Sequence, residues 1–198
     1  MIGMAQTLIH TKEKSEEYNT LLSRVEKYED ISDRMELEIA HYLSRCAEGR
    51  LSNEGKLKIA AMLNIISEIE SIADCCMGIS KIMNRKIEAA AVFPQEVYDN
   101  IDTMYAYVKQ AMKLMMAQLT DMESVSGKSL IESYNKEREI NNYRNTLRST
   151  NVENINEKHY EYQAGIYYMD IIGDLEKTGD YIINVVDTLR DNFHKAVK

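Results

Sequence analysis

Residues that interrupt helices are scarce in this sequence. Its 198 residues include one proline and eight glycines. No stretch alternates between apolar and polar residues with the period of two that a half-buried strand requires. Because proline and glycine are the strongest breakers of helices, their scarcity predicts an all-α fold. The length suits a single domain that spans residues 1–198.

Cysteine, basic charge and long apolar runs are also limited. The cysteines Cys46, Cys75 and Cys76 have neither a zinc-site spacing nor a redox spacing, which favours a reducing cytosol, and the adjacent Cys75 and Cys76 are expected to be buried thiols. Acidic residues outnumber basic ones by 32 to 24, which argues against nucleic acid as a partner and favours cations. No apolar run approaches the roughly 18 residues that cross a bilayer. The chain is therefore expected to be soluble, or to be a soluble piece of a membrane protein.

Apolar residues recur at steps of three and four in five stretches, which is the spacing of amphipathic helices. Gly49 is predicted to end the first helix, Ser52 to cap the second and Pro94 to open the third. Thr150 and Glu153 fit a capping box that would start the last helix. Short loops predict antiparallel neighbours. The predicted helices cover about 15–48, 52–88, 94–122, 130–147 and 150–193.

One sequence pattern occurs twice. Residues 65–74 and 171–180 share the order Ile-Ile, small residue, acid, Ile or Leu, Glu, three residues, Asp. On the helices that precede them, residues 29–33 and 137–141 match in a similar way. Repetition at a fixed offset predicts an internal duplication of about a hundred residues.

The duplication predicts two repeats, at about 15–90 and 94–192, and each complete repeat would contain three helices. Before the first repeat, residues 1–14 are too few for a helix as long as the others. The first repeat is therefore expected to lack its first helix. A bundle truncated in this way would leave an apolar face uncovered.

Acidic side chains four positions apart share one face of a helix, and both repeats carry such pairs. Among 32 acids chance supplies about five such pairs, so one pair is weak evidence and two in register are stronger. Carboxylates bind hard cations such as Mg²⁺, Mn²⁺, Ca²⁺ and Fe³⁺. The candidate metal ligands are Glu29, Asp33, Glu70 and Asp74 in the first repeat and Glu137, Asn141, Glu176 and Asp180 in the second. Because Asn141 replaces an acid, the second site is expected to bind metal more weakly or to hold fewer ions.

Other interpretations use the same acids. A ferritin-like di-iron bundle needs Glu-x-x-His on two helices, and Glu38 with His41 is one match, but Thr146 and Ser149 stand at its repeat counterpart. A metal-dependent phosphate-handling enzyme or oxidase is a second alternative, although no nucleophile elbow or glycine-rich phosphate loop is visible. In a third, a plain helical interaction domain, the acids would be solvated or salt-bridged. The histidines expected to be exposed rather than ligands are His10, His159 and His194.

The last helix carries a resemblance to a known family. Residues 174–180, Asp-Leu-Glu-Lys-Thr-Gly-Asp, followed by Asn184, are similar to the signature of PhoU proteins, whose repeated three-helix bundles carry a Glu/Asp-x-x-x-Asp motif. Residues 70–74 resemble the first-repeat copy, with Gly78 where the second copy has Asn184. The resemblance covers roughly residues 15–192 and implies tandem three-helix bundles.

PhoU-like proteins modulate phosphate transporters and phosphate signalling, and some bind multinuclear metal clusters through the acidic motif. The resemblance therefore implies a non-enzymatic regulator of phosphate uptake, with iron, zinc, manganese or magnesium as candidate cofactors. Residues 28–52 look most like the cytosolic carboxy-terminal domain of bacterial sodium/phosphate cotransporters. That subtype implies a place at the inner face of the cell membrane, as part of a larger membrane protein. Its partner would be the transporter portion of the same or a second chain, and an uncovered apolar face favours homo-oligomers.

Overall fold

The computed structural model describes residues 1–11, 14–121 and 126–193, and these residues form helices and short connections. The all-α prediction is confirmed, and no described residue lies in a strand. The described residues form six helices rather than about five, because Ile2–Ile9 forms a short first helix. In this part of the chain no helix is long and apolar enough to cross a bilayer. The helices are α1 (Ile2–Ile9), α2 (Glu16–Ala47), α3 (Asn53–Glu88), α4 (Gln95–Thr120), α5 (Gly127–Asn156) and α6 (Tyr162–Asn192).

Local signals set several helix ends where the sequence predicts them. The cap Ser52 precedes α3, and its Oγ accepts a hydrogen bond from the Gly55 N–H at 3.1 Å. Pro94 directly precedes the first residue of α4, where a missing N–H costs no helical hydrogen bond. The helix α4 ends at Thr120, and the predicted end at Met122 lies outside the described residues.

The predicted helix start at Thr150 is wrong. Helix α5 continues through Thr150, and the break comes later, at a turn in which Lys158 has a φ of 60°. Asn151 is buried, and its Oδ1 accepts a hydrogen bond from the Tyr160 O–H at 2.8 Å, which ties the end of α5 to the turn. The Thr-x-x-Glu pattern resembles a capping box, but within a long helix the backbone donors already have helical partners. Tertiary contacts therefore decide where α5 ends.

Helices α3 and α6 are antiparallel and form the centre of the molecule. Asn184 Nδ2 on α6 donates a hydrogen bond to Glu68 Oε2 on α3 at 3.0 Å. At the other end of the contact, a Cβ added to Gly78 on α3 would lie 2.6 Å from Asp174 Oδ2 on α6, so this close approach depends on glycine. Glu68 and Asp174 are 106 positions apart, as are Gly78 and Asn184. The two contacts are therefore related by the offset of the repeated motif.

The other helices form two groups around this central pair. Helices α1 and α2 contact α3, and α4 and α5 contact α6. The first group thus has a first helix, but α1 has eight residues where α4 has 26. Leu8 of α1 packs against Tyr18, Val25 and Met77 at one end of the α2–α3 pair. The large apolar side chains that stay exposed elsewhere on α2 and α3 include Met35, Leu37, Tyr42, Leu57 and Ile69. An uncovered apolar face and self-association through it stay predictions.

Two glycines on α6 form a matched pair that tests the packing of α5 against α6. A Cβ on the buried Gly165 would lie 2.5 Å from Ile155 Cδ1 and 2.9 Å from Asn151 Oδ1, whereas one on Gly173 would meet nothing within 4 Å. Gly165→Ala is expected to lower the free energy of unfolding by about 1–3 kcal/mol, because overpacking displaces neighbours. Gly173→Ala is expected to raise it by up to about 1 kcal/mol. Urea unfolding measures both changes, and a stabilised Gly165→Ala protein would contradict this packing.

Candidate metal centre

The first candidate site lies where α2 packs along α3. Helix α2 presents Glu29 and Asp33 one helical turn apart, and α3 presents Asp74. One carboxylate oxygen of each of these residues lies within 4.8 Å of the others. Glu29 is half-buried, whereas Asp33 and Asp74 are exposed. Three carboxylates at this separation can converge on one cation, since protein oxygens ligate Ca²⁺ or Mg²⁺ at about 2.0–2.6 Å.

Glu70 lies one turn before Asp74 and extends this cluster. The two side chains share a hydrogen bond, and burial, followed by the charges of Asp74 and Glu36, raises the pKa of Glu70 to about 7. A hydrogen bond between two carboxyl groups requires a proton on one of them. Burial also raises the pKa of Glu29, and the charge of Asp33 adds to this effect. A cation at this cluster would therefore compete with that proton near neutral pH.

We call the five acids Glu29, Asp33, Glu36, Glu70 and Asp74 site one. Within the described ranges, none of them forms an ion pair shorter than 4.0 Å with lysine, arginine or histidine. The charge of Lys81 lowers the pKa of Glu29, but it is the weakest of the influences on that group. Site one thus combines five formal negative charges with almost no compensation.

Site two is the corresponding group on α5 and α6, formed by Glu137, Asn141, Arg144, Glu176 and Asp180. Arg144 Nη2 lies 2.6 Å from Glu176 Oε1. Asn141 Nδ2 donates a hydrogen bond to Glu137 Oε1 at 2.5 Å. Burial raises the pKa of Asp180, the charge of Glu176 adds to this, and the charge of Arg144 opposes it. In site two, a guanidinium group therefore lies among the acids and neutralises part of their charge.

The repeat accounts for this difference between the sites. The offset of 108 positions that pairs Glu137 with Glu29 also pairs Arg144 with Glu36. A base in site two thus takes the place of an acid in site one, in addition to the amide Asn141. With three acids and one arginine, site two has a formal charge of −2 where site one has −5. Glu36 and Arg144 are not among the ligands predicted from the sequence, although the same alignment reaches them three residues further on.

The donor atoms of site one suit a hard cation. All of them are carboxylate oxygens, and no described histidine or cysteine joins the cluster. Structural zinc sites are mostly built from cysteine and histidine, whereas oxygen donors favour Mg²⁺, Mn²⁺, Ca²⁺ or Fe³⁺. In site two, Asn141 Oδ1 is buried and has no hydrogen-bond partner, so a free acceptor remains there beside the arginine. Metal ligation by the eight candidate residues stays a prediction.

The alternative di-iron motif does not form a second site. Glu38 and His41 are exposed on α2. At their repeat counterpart, Thr146 Oγ1 and Ser149 Oγ donate hydrogen bonds to backbone carbonyls one turn earlier on α5. The hydroxyl groups are therefore used within their own helix, and no second Glu-x-x-His pair faces the first.

The remaining candidate ligands lie outside both sites. His10 Nε2 lies 2.9 Å from Asp102 Oδ1, His159 is exposed, and His194 lies outside the described residues. Cys75 and Cys76 are buried free thiols, as predicted. Burial raises the pKa of Cys75 to about 11 and that of Cys76 to about 12, so both are protonated thiols rather than metal-binding thiolates at neutral pH.

Comparison with known proteins identifies the fold. Residues 97–189 match the family model described as the PhoU domain. Over this segment, which is just under half of the chain, the sequence is similar to the PhoU domain. This matched segment contains site two, whereas site one lies before it. No curated protein gives a significant match to the sequence.

Solved structures extend the likeness to nearly the whole chain. PhoU from Pseudomonas aeruginosa is similar with a TM-score of 0.83 at 12% identity, over 96% of this chain and 86% of that chain. The phosphate transport system regulatory protein PhoU from Streptococcus pneumoniae has a TM-score of 0.72 at 16% identity, over 96% of this chain and 89% of that one. At these identities the comparison shows the fold. The predicted PhoU-like helical fold is therefore confirmed.

Glu70 offers a test of the electrostatics of site one in the metal-free protein. Its pKa is about 7 in the folded protein and 4.5 ordinarily, so the folded state binds more protons between these values. Stability is therefore expected to fall as pH rises from about 4.5 to about 7, and to level off above. Glu70→Gln is expected to remove this slope and to raise the free energy of unfolding at neutral to alkaline pH by about 1–2 kcal/mol, which discounts the full shift for solvent screening.

Glu176→Gln is the matched control, because Glu176 is paired with Arg144. This variant is expected to lose stability over the same pH range, since it leaves the guanidinium with less compensation. Urea unfolding with a chelator present, at several pH values, measures both variants. A destabilised Glu70→Gln protein at alkaline pH would show that the acids of site one do not repel one another.

Proposed function

We propose that this protein is a PhoU-type regulator of a phosphate transporter and is not an enzyme. The observation that carries the proposal is the likeness to PhoU structures over 96% of the chain, supported by the PhoU-domain match at residues 97–189. One of these similar proteins is named as the regulatory protein of a phosphate transport system. A helical domain of this kind would act through contact with transporter components, and through a change in that contact.

We further propose that the transporter is a sodium/phosphate cotransporter and that this domain lies on its cytosolic side, in the same or a second chain. The support is the resemblance of residues 28–52 to the carboxy-terminal domain of such transporters. Those residues lie mainly on α2, where three of 32 residues are buried. The exposed Met35, Ile39 and Tyr42 lie at steps of four and three on α2 and give it an apolar surface that a partner can cover.

Site one is proposed to bind a hard metal cation that joins α2 to α3. Glu29 and Asp33 come from α2, and Glu70 and Asp74 come from α3. A cation between them would replace mutual repulsion by attraction to a shared charge. Site two needs such an ion less, because Arg144 already supplies a positive charge beside Glu176.

Metal binding by purified protein tests this difference between the sites. Titration with Mn²⁺ followed by calorimetry is expected to show binding that Asp74→Asn weakens about tenfold or more, because one charged ligand of site one is lost. Asp180→Asn is the matched control in site two and is expected to change the affinity by less than about threefold. Equal losses in the two variants would contradict the assignment of the ion to site one.

A gain of binding is the complementary test. The double substitution Asn141→Asp with Arg144→Glu gives site two the five acids of site one. This variant is expected to bind additional Mn²⁺ per chain, as measured by metal analysis after dialysis. Unchanged metal content in a folded variant would show that the acids alone do not create the site.

Phosphate uptake in cells tests the regulatory proposal. A sodium/phosphate cotransporter is expressed with this domain, without it, or with Asp74→Asn, and the rate of radioactive phosphate uptake is measured. Deletion is expected to change the rate by a factor of two or more, and Asp74→Asn is expected to shift it in the same direction. If deletion of this domain leaves the rate of phosphate uptake unchanged, the proposed regulatory role is wrong. Phosphatase or ferroxidase turnover that depends on Glu176 would favour an enzyme instead.

A further inference from the structure

A pocket at one end of the molecule is separate from both acidic sites. It lies between the last turn of α3, the α3–α4 connection, the first turn of α4 and the residue that follows α1, and has a volume of about 350 Å³. This volume is within the range of small-molecule sites, roughly 300–1,000 Å³. The walls are mostly apolar and are formed by Ile87, Ala90, Ala91, Val92 and Phe93. Its polar groups come from His10, Lys86, Gln95 and Tyr98.

The ammonium group of Lys86 is the unusual feature of this pocket. Lys86 is 5% exposed, which is rare for lysine without a charged partner. Its Nζ lies 4.8 Å from the centroid of the Phe93 ring and 5.7 Å from that of Tyr98, and it donates a hydrogen bond to Tyr98 Oη at 3.2 Å. Both rings line the pocket, so the ammonium group lies at the pocket wall.

These contacts leave the charge of Lys86 incompletely compensated. Burial of an ammonium ion carries a large desolvation cost, and cation–π contacts offset only part of that cost. Among residues 1–11, 14–121 and 126–193, no carboxylate forms an ion pair with Lys86. Glu88, two positions after Lys86, pairs with Lys14, and Asp102 pairs with the pocket residue His10. Two of the three N–H groups of the ammonium therefore remain for a ligand.

Tyr98 adds a second donor at the same place. Because its Oη accepts the hydrogen bond from Lys86, its own O–H is free to donate. The other polar groups are used elsewhere, since Gln95 Nε2 donates to Asp99 Oδ1 and His10 Nε2 lies at Asp102 Oδ1. One ammonium group and one hydroxyl group thus converge beside an apolar wall. This arrangement matches an oxyanion attached to an apolar body.

We propose that this pocket binds a small organic monocarboxylate. Its carboxylate would accept hydrogen bonds from Lys86 Nζ and Tyr98 Oη, and its apolar body would pack against Ile87, Ala91 and Phe93. Inorganic phosphate fits less well, because a single cation and apolar walls supply too few donors for a dianion with several oxygens. Lys86 is 12 residues from Asp74 on α3, or about 18 Å along the helix axis. Binding here is therefore separable from metal binding at site one.

Nuclear magnetic resonance titration with benzoate tests the proposal on the whole chain. Benzoate is expected to give saturable shifts of backbone amide signals from the α3–α4 connection, whereas benzamide, its uncharged counterpart, is expected to give none. Lys86→Met is expected to weaken benzoate binding at least about tenfold, the worth of a charge-assisted hydrogen bond. Tyr98→Phe is expected to weaken it several-fold. Lys58→Met, on the exposed side of α3, is the matched control and is expected to leave binding unchanged.

Several results would overturn the proposal. These are benzoate binding that survives in Lys86→Met, equal binding of benzamide, inorganic phosphate that binds at the same signals with equal affinity, and no benzoate shifts up to millimolar concentration. Lys86→Met keeps the apolar stem of the side chain, and removal of an unpaired buried charge tends to leave stability unchanged or improved. The variant is therefore expected to fold, and its amide spectrum reports this in the same experiment.

Discussion

The contact between α3 and α6 is the constraint on which the rest of the structure depends. Each of these helices carries one copy of the repeated motif, and their antiparallel approach places Glu68 against Asn184 and Gly78 against Asp174. The other helices pack around this pair, α2 against α3 and α5 against α6. Since each acidic pair on the central helices then faces an outer helix, the two candidate sites follow directly from this arrangement.

The two sites show how a duplicated framework can diverge in electrostatics while keeping its shape. Both place acids from an outer helix beside acids from a central helix. In site two, Arg144 and Asn141 supply hydrogen bonds to Glu176 and Glu137 from within the chain. Site one has an acid at each corresponding position. A proton shared between Glu70 and Asp74 reduces the repulsion among these acids. Arg144 supplies a positive charge within site two, whereas under the proposed function site one would take an external cation.

The positions of the long helices could be predicted from the sequence, whereas the side-chain contacts between helices could not. Periodicity and the cap at Ser52 located the long helices, because those signals depend on neighbours in sequence. The capping-box pattern at Thr150 failed, since the end of α5 depends on Asn151 and its contact with the turn before α6. The role of Arg144 could not be predicted, because its ion pair with Glu176 joins two different helices, α5 and α6. The burial of Lys86 could not be read from sequence at all, because its aromatic partners come from the next connection and helix.

The placement of site one on α2 determines what a bound cation could change. Helix α2 buries three of its 32 residues, Tyr18, Val25 and Leu43, whereas α4 buries eight of its 26. The acids at this contact repel one another once Glu70 loses its proton, and the repulsion acts across the α2–α3 boundary. Under the proposed function, a cation at site one would therefore alter how firmly α2 is attached. The packing of helices α4–α6 would change little on cation binding, because Arg144 already pairs with Glu176 there. The apolar surface of α2 is thus the part of the molecule in which metal occupancy could be passed on to a transporter.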